Sequence, residues 1–138
     1  MPDPAETARA MWAADAASQA LGMVLVDLAP GHATVAMTVR ADMVNGHDLA
    51  HGGLVATLAD SAFALACNSR GRTTVASGFD ITFLEAGRLG DELVAVARET
   101  ALRGRSGLYD VTVSRAADGV VVAEMRGRSR AVALTGRQ

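Results

Sequence analysis

One stretch, from Leu54 to Cys67, constrains the fold of this chain more than any other. It is almost wholly apolar, and its only polar side chains are Thr57, Asp60 and Ser61. A helix that is apolar on every side is normally buried. Asp60 would then lie in the middle of a buried helix, where a carboxylate is costly unless it is paired or hydrogen-bonded. We therefore expect a fold built around this helix and a function built around Asp60.

Segments with strand-like patterns flank this helix in the sequence. Two precede it, over residues 23–28 and 32–40, and four follow it in meander order, over residues 73–84, 92–102, 108–115 and 120–133. Alternation within a strand places every second side chain on one face. On this basis one face of the strand over 73–84 carries Val75, Ser77, Phe79, Ile81 and Phe83. An antiparallel sheet that curls around the apolar helix would bury it, which is an α+β arrangement.

The length of 138 residues suits one domain, spanning residues 1–138. Within it we expect an N-terminal helix in residues 1–21 and the central helix over residues 53–68. Hydrophobic residues make up 50% of the chain, which favours a folded domain over a disordered one.

The charge balance excludes several classes of protein. The net charge is −2 and the pI is near 5.9, whereas nucleic-acid-binding domains usually carry a basic patch and a high pI. The chain has no lysine, which excludes a Schiff-base mechanism. No run approaches the roughly 18 apolar residues of a membrane span, and the N-terminus lacks the apolar core of a signal peptide. We expect a soluble cytoplasmic protein with neither nucleic-acid nor membrane partners.

An ordered series of short motifs resembles one known family. The series is Asn45-Gly46-His47, His51-Gly52-Gly53, Leu58-Ala59-Asp60, Ala66-Cys67-Asn68-Ser69, Thr82-Phe83-Leu84, Gly90-Asp91 and Gly107-Leu108-Tyr109-Asp110-Val111. It is similar to the hotdog-fold acyl-CoA thioesterases of the phenylacetate-degradation (PaaI) type, over residues 20–133. The resemblance implies a hotdog fold, with a curved antiparallel sheet wrapped around one long central helix. It also implies hydrolysis of acyl-CoA thioesters, with phenylacetyl-CoA and its ring-hydroxylated forms as substrates, and a homotetramer built as a dimer of dimers.

Thioester hydrolysis needs a donor for the developing oxyanion and a group that activates water or attacks directly. The first amides of a helix have no partners within the helix and carry partial positive charge. Gly52 and Gly53 at the start of the central helix fit this need, with the Gly53 N–H as the main donor. The alternative is that these glycines only allow a sharp turn into the helix. Asp60 is the expected base or nucleophile, and the alternative is a structural hydrogen bond to a neighbouring loop.

The spacing between Gly53 and Asp60 predicts how the site is assembled. Seven residues of helix rise about 10 Å and complete almost two turns, so the two residues lie on nearly one face but far apart. A reacting carbonyl should lie about 3 Å from each partner. One chain therefore does not supply both groups to one thioester, whereas two antiparallel copies of the helix do. We expect composite sites at a two-fold interface, two in each dimer.

Four further polar residues are candidates around this centre. Asn45 can hold water or the thioester oxygen through its amide, or simply form a turn. His51 can polarise the carbonyl, or only orient the loop. By resemblance, a hydroxyl on the strand after the helix holds the attacking water, and the candidates are Thr74 and Ser77. Because alternation places these two on opposite faces, we prefer Ser77.

The CoA phosphates need cations. Arg103 and Arg105 flank a turn, and arginine suits bidentate phosphate contacts. The residues Arg126, Arg128 and Arg130 alternate on one strand face, for which a solvated surface is the plainer interpretation. We expect no metal and no cofactor, with CoA entering as part of the substrate, because three histidines without ligand spacing make a poor zinc site.

Two rival functions stay open at this point. One is a non-catalytic acyl-CoA sensor, although the N-terminal helix is too short for a DNA-binding domain. The other is an enoyl-CoA hydratase of the same fold, which would need a histidine paired with a carboxylate. His51 and Asp60 could imitate that pair, but their spacing places them at different points along the helix.

Overall fold

The computed structural model describes residues 3–132. Two short helices, α1 (Glu6–Ala13) and α2 (Ala16–Ala20), precede strands β1 (Val24–Ala29) and β2 (His32–Thr38). A 3-10 turn at Ala41–Met43 leads to the long helix α3 (Gly52–Cys67). Four strands follow: β3 (Thr74–Phe83), β4 (Glu92–Arg103), β5 (Ser106–Arg115) and β6 (Val121–Ala131). The predicted domain extends over residues 1–2 and 133–138, and the predicted last strand reaches Ala133; these residues lie outside the described part.

The six strands form one antiparallel sheet in the order β1-β2-β4-β5-β6-β3, and α3 contacts all of them. This confirms the predicted α+β arrangement. The predicted meander order is wrong for β3, which pairs with β6 at the edge of the sheet. The strand β4 instead pairs with β2, where Met37 lies opposite Leu93 and Val35 opposite Ala95. All four side chains are buried, so this pairing places two apolar strand faces side by side against α3.

Helix α3 is buried on most of its surface but not on all of it. Leu58, Phe63 and Leu65 are fully buried, and each such side chain contributes about 1.5–3 kcal/mol through burial. One stripe with helical spacing is less covered. We call this stripe the open face of α3; it consists of Gly53, Ala56, Thr57, Asp60 and Ala64.

The structure has helix within the predicted residues 1–21, but it is divided into two, α1 and α2, instead of running as one. The break falls at Asp15, whose side chain accepts a hydrogen bond from Ser18 N–H at 2.9 Å and so caps α2. An aspartate that bonds the amide three residues ahead starts a new helix rather than continuing the old one. Both helices contact α3, and they bury Ala8 and Ser18.

The predicted alternation in β3 is also wrong in its first half. The pairing with β6 shifts between Ala76 and Gly78, so Ser77 lies at a β-bulge. Val75 lies opposite the exposed Arg130, whereas Phe79 lies opposite the buried Gly127. The extra residue of a bulge reverses the side on which the following residues lie. Val75 and Phe79 are therefore on opposite faces of the sheet.

Among residues 3–132, no helix combines the length and apolar character that crossing a membrane requires.

Candidate active site

Helix α3 begins directly after His51, and this histidine caps it. His51 Nδ1 accepts a hydrogen bond from Gly53 N–H at 3.1 Å. The capping nitrogen must carry a lone pair, so a neutral His51 ring has its proton on Nε2. The Gly53 N–H, predicted as the oxyanion donor, is thus occupied by His51 in this structure.

Gly52 lies against an aromatic ring at the same end of α3. A Cβ atom at Gly52 would lie 3.2 Å from the Phe83 ring, so the absence of a side chain permits this close approach. A cavity of about 450 Å³ opens beside it. Gly52 and Asn45 line this cavity together with apolar side chains, among them Leu49, Ala50, Val55, Phe83, Leu84 and Val122. We call it the helix-start cavity.

Asn45 organises the loop that leads into α3. Its Oδ1 accepts hydrogen bonds from His47 N–H at 2.9 Å and from Leu49 N–H at 3.2 Å. This is the turn-forming role that the sequence left open. The oxygen is therefore engaged, and the side-chain NH₂ group is the part of Asn45 that can donate to a ligand.

Asp60 lies half-buried on the open face of α3. Within residues 3–132 no hydrogen bond or ion pair reaches its carboxylate. Burial raises the pKa of Asp60 above its usual value of 3.8, and the carboxylate of Asp15 raises it further. A carboxyl group with a perturbed pKa and no structural partner is typical of catalytic acids and bases.

The open face of α3 places Gly53 and Asp60 on one side of the helix, as their spacing predicts. Seven residues separate them, which corresponds to about 10 Å along the helix axis. His51 caps the helix at its start and does not contact Asp60. The His51–Asp60 pair that a hydratase would need is therefore not formed within one chain.

The structure does not place Ser77 where the alternation predicted. At the bulge, Ser77 Oγ donates a hydrogen bond to the Arg128 carbonyl at 3.1 Å. Ser77 also lines a cavity of about 380 Å³ with Arg103, Ser106, Leu108 and Arg128. The side chains of these strand residues lie on the face of the sheet away from α3, and we call this the outer-face cavity. The extra residue at the bulge is the physical reason for the difference.

Thr74 does lie on the helix side of β3, opposite the buried Ala131. Its Oγ1 donates to the Arg72 carbonyl at 2.9 Å, and its N–H donates to Asn68 Oδ1 at 2.9 Å. Asn68 directly follows α3, so Thr74 is at the opposite end of the helix from Gly53. Neither Thr74 nor Ser77 is brought to the start of α3 within one chain.

The two arginines proposed for CoA lie in different places. Arg103 lines the outer-face cavity, and Arg105 lines a small cavity of about 20 Å³ beside Arg70 and Arg72. The three alternating arginines on β6, which we call the arginine row, bond to neighbouring polar side chains. Arg126 binds Asp110 at 2.6 Å, Arg128 binds Asp80 at 3.1 Å, and Arg130 donates to Ser106 Oγ at 3.0 Å. This row fits the solvated-surface interpretation.

The single cysteine of the chain, Cys67, does not have the lowered pKa of a reactive thiol. Cys67 is buried, and burial raises the pKa of its thiol to about 12. In the part of the chain from residue 3 to residue 132, no three His, Cys, Asp or Glu side chains group as a metal site would require.

Asp15 and Ser18, at the start of α2, form a hydrogen-bonded network with Ser61, the neighbour of Asp60, that was not predicted from the sequence. Ser18 Oγ lies 2.6 Å from Asp15 Oδ2 and 2.7 Å from Ser61 Oγ on α3. The Asp15-x-x-Ser18 pattern is a helix N-cap signature and could have located the start of α2. Its contact with Ser61 spans 43 residues of sequence, and no local pattern indicates it.

Comparison with known proteins assigns this chain to a family. A family model described as the thioesterase superfamily matches residues 47–122. The acyl-coenzyme A thioesterase PaaI of Escherichia coli is 42% identical over 92% of this chain and 90% of its own length. The chain belongs to the thioesterase superfamily. The predictions of a hotdog fold and of a thioesterase enzyme are thereby confirmed.

Two solved structures and one further relative are also similar to this chain. The structure of the E. coli PaaI protein from the phenylacetic acid degradation operon superposes with a TM-score of 0.92 at 41% identity, covering 96% of each chain. Human acyl-coenzyme A thioesterase 13 is 32% identical over 88% of this chain and 89% of its own. A Streptococcus mutans protein bound to acetyl CoA superposes with a TM-score of 0.76 at 28% identity, covering 80% of this chain and 88% of that one.

Proposed function

We propose that this thioesterase hydrolyses acyl-CoA to a free acid and CoA. The observation that carries the proposal is Asp60, a half-buried carboxylate with a raised pKa on the same helix face as the first amides of α3. The names of the E. coli and human relatives, both acyl-coenzyme A thioesterases, support the choice of CoA thioesters.

Asp60 can act on the thioester in two ways. As a general base it takes a proton from water while the water oxygen attacks the carbonyl carbon. As a nucleophile it attacks that carbon itself, and water then hydrolyses the resulting anhydride. In both routes the carbon–sulfur bond breaks, the sulfur takes up a proton, and CoA leaves as the thiol.

The start of α3 provides the complementary group. The Gly53 N–H points out of the helix terminus, where backbone dipoles favour negative charge. When His51 Nδ1 releases this N–H, it donates to the oxyanion. Asn45 lines the helix-start cavity beside Gly52, the residue before Gly53. Removing one donor of this kind typically costs about 10²–10³-fold in kcat.

A second copy of the chain completes the site. The edge strand β3 and the residue after it expose four large hydrophobic side chains, Val75, Phe79, Phe83 and Leu84. An exposed apolar edge strand is a template for pairing with another strand. Two copies that pair through β3 bring Gly53 of one protomer towards Asp60 of its partner. We expect a homodimer with two composite sites, and two such dimers in a homotetramer.

CoA itself requires cations near its phosphates. Within residues 3–132, Arg103 donates only to the neighbouring Leu102 carbonyl, at 3.3 Å, and it lines the outer-face cavity. Its guanidinium is therefore available for a phosphate, and Arg105 provides a second cation nearby in sequence. The acetyl CoA bound to the S. mutans protein supports CoA binding on this fold.

The acyl group is proposed to be phenylacetyl or hydroxyphenylacetyl, in cytoplasmic aromatic catabolism. The helix-start cavity is lined mostly by apolar side chains and is large enough for an aromatic ring. The E. coli relative is described from the phenylacetic acid degradation operon, which supports this substrate class.

The test is release of CoA thiol from phenylacetyl-CoA, hydroxyphenylacetyl-CoA, acetyl-CoA and a fatty acyl-CoA. Loss of a general base typically lowers the reaction rate by about 10²–10⁴-fold. We expect Asp60→Asn to lower kcat by that factor. Asp27→Asn is the matched control, because Asp27 lies on β1 beside His32 at 3.6 Å and carries the same charge. It should keep the rate of the wild type.

Each rival function has its own outcome in this assay. Binding of acyl-CoA without turnover would identify a sensor, and faster hydration of an enoyl-CoA would identify a hydratase. If Asp60→Asn retains most of the wild-type rate, the proposed mechanism is wrong.

A further inference from the structure

A chain of buried hydroxyl groups connects the N-terminal helices to the centre of α3. Ser18 on α2 and Ser61 on α3 are only 2% and 8% exposed, and their Oγ atoms lie 2.7 Å apart. Buried polar groups normally have hydrogen-bond partners, and these two serve each other. Ser61 directly follows Asp60 in the sequence.

The bond between Ser18 and Asp15 shows which of the two serine hydroxyls is the donor. Ser18 Oγ donates to Asp15 Oδ2 at 2.6 Å, a length typical of a hydroxyl bonded to a carboxylate. The single Ser18 proton is thus used, so the Ser61 hydroxyl must donate to Ser18. The second oxygen of Asp15 accepts from Ser18 N–H at 2.9 Å. Both oxygens of Asp15 are therefore held by Ser18, whose hydroxyl contacts Ser61 on α3.

We propose that Asp15 is a positioning residue for the reaction, because Ser18 and Ser61 fix its negative charge beside Asp60 and so favour the proton-accepting role of Asp60. This inference rests on the proposed function, in which Asp60 is the reacting carboxylate. It gives the N-terminal helices a part in the chemistry, although they contribute no residue that touches the substrate.

Among residues 3–132, Asp15 is the one charged group whose field raises the pKa of Asp60. Strands β2 and β4 present apolar side chains to α3, such as Val35, Met37 and Leu93. Two titratable groups, Tyr109 from β5 and Cys67 from α3, are buried, and burial raises the pKa of each, so both stay neutral near pH 7. The charged residues of α1, Glu6 and Arg9, are exposed.

The physical effect is that of two neighbouring carboxylates. A like charge nearby disfavours ionisation, so the pKa of Asp60 is raised by Asp15 in addition to burial. A carboxylate of higher pKa accepts a proton more readily from water. The cost is that more of Asp60 is protonated under mildly acidic conditions, which should appear as an acid limb in the pH–rate profile.

The test variant is Asp15→Asn, which removes the charge and keeps the cap. Asparagine caps helices about as well as aspartate, and its oxygen can still accept from Ser18 N–H. We expect the acid limb of kcat/KM to move to lower pH, with little change in KM. The carboxyl ¹³C signal of Asp60, assigned by its loss in Asp60→Asn, should titrate at lower pH as well. Asp27→Asn again serves as the charge-matched control and should move neither.

A second variant separates charge from position. Ser18→Ala keeps the Asp15 charge but removes the hydroxyl that fixes it, so Asp60 should titrate between wild type and Asp15→Asn. The proposal is overturned if Asp60 titrates alike in wild type and Asp15→Asn, or in wild type and Ser18→Ala if Asp15→Asn does not fold. Because the NMR titration needs no turnover, this failure is distinguishable from failure of the proposed function, which Asp60→Asn tests by its rate.

Discussion

Asp60 is half-buried on α3, and its carboxylate has no hydrogen-bond partner within residues 3–132. Burial and the charge of Asp15 both raise the pKa of Asp60 in the folded protein above its usual value of 3.8. A side chain that is more costly to ionise when folded than when unfolded lowers stability at neutral pH. At the scale of the residue, the same environment that suits Asp60 to proton transfer should therefore weaken the fold.

This cost can be measured with Asp60→Asn, which removes the charge and keeps the shape. Because the folded-state pKa is raised, protonated Asp60 stabilises the native state at low pH, and that contribution is lost as pH rises through the raised value. We expect Asp60→Asn to have a higher Tm than wild type at pH 7 and a difference that shrinks as pH falls towards 3.8. Thermal unfolding of the two proteins between pH 3.5 and pH 7 checks this. An equal Tm at pH 7 would contradict it.

At the scale of the element, closeness of packing decides which substitutions the sheet tolerates. Gly127 on β6 faces the ring of Phe63 on α3, and a Cβ atom there would lie 2.9 Å from the ring. Phe63 is fully buried, so its ring has little room to move away. Overpacking of a core typically costs about 1–3 kcal/mol, and we expect Gly127→Ala to lower the free energy of unfolding by that amount.

A double-variant cycle identifies the cause of this loss. Adding Phe63→Leu should recover part of the stability of Gly127→Ala, because it removes the atoms that the new Cβ meets. Gly46→Ala is the matched control, since a Cβ there meets nothing within 4 Å among residues 3–132, and it should leave the unfolding curve unchanged. Strictly additive effects of the two core substitutions in urea unfolding would show that the ring is not the cause.

The elements that follow from short-range patterns were predictable. Helix α3 starts at Gly52 and ends at Cys67, one residue from the predicted bounds. Its periodicity also places Gly53 and Asp60 on one face. The break at Asp15 was missed because alanine-rich sequence on both sides favours one continuous helix, and only the side-chain cap interrupts it.

Features set by long-range pairing were not predictable from local patterns. The bulge at Ser77 arises from the register of β3 on β6, and one inserted residue reverses the face on which Val75 lies. The edge position of β3 depends on the pairing of β4 with β2 instead of with β3. The approach of Ser18 to Ser61 depends on how α2 packs on α3. In each case the interacting residues are far apart in sequence.

At the scale of the whole molecule, one chain offers two half-sites. The amides at the start of α3 and the carboxylate at its middle are about 10 Å apart along the helix, and β3 leaves an apolar edge exposed beside them. If sites form between two copies, the two groups of one chain serve different substrates. The consequence is that two inactive variants, each missing one group, should restore activity when they share a dimer.

The variants are Asp60→Asn and Gly53→Pro. Gly53 lies in the first turn of α3, where proline deletes the N–H without removing a hydrogen bond within the helix. Random pairing of equal amounts gives half heterodimers, each with one intact site, so roughly a quarter of wild-type activity should return. Wild type mixed with the double variant should also keep roughly a quarter, because every heterodimer site then lacks one group.

Sites confined to one chain predict the opposite pattern, with no recovery in the first mixture and roughly half the activity in the second. Refolding the mixtures together and assaying CoA release therefore decides between shared and single-chain sites, and each protein refolded alone gives the baseline.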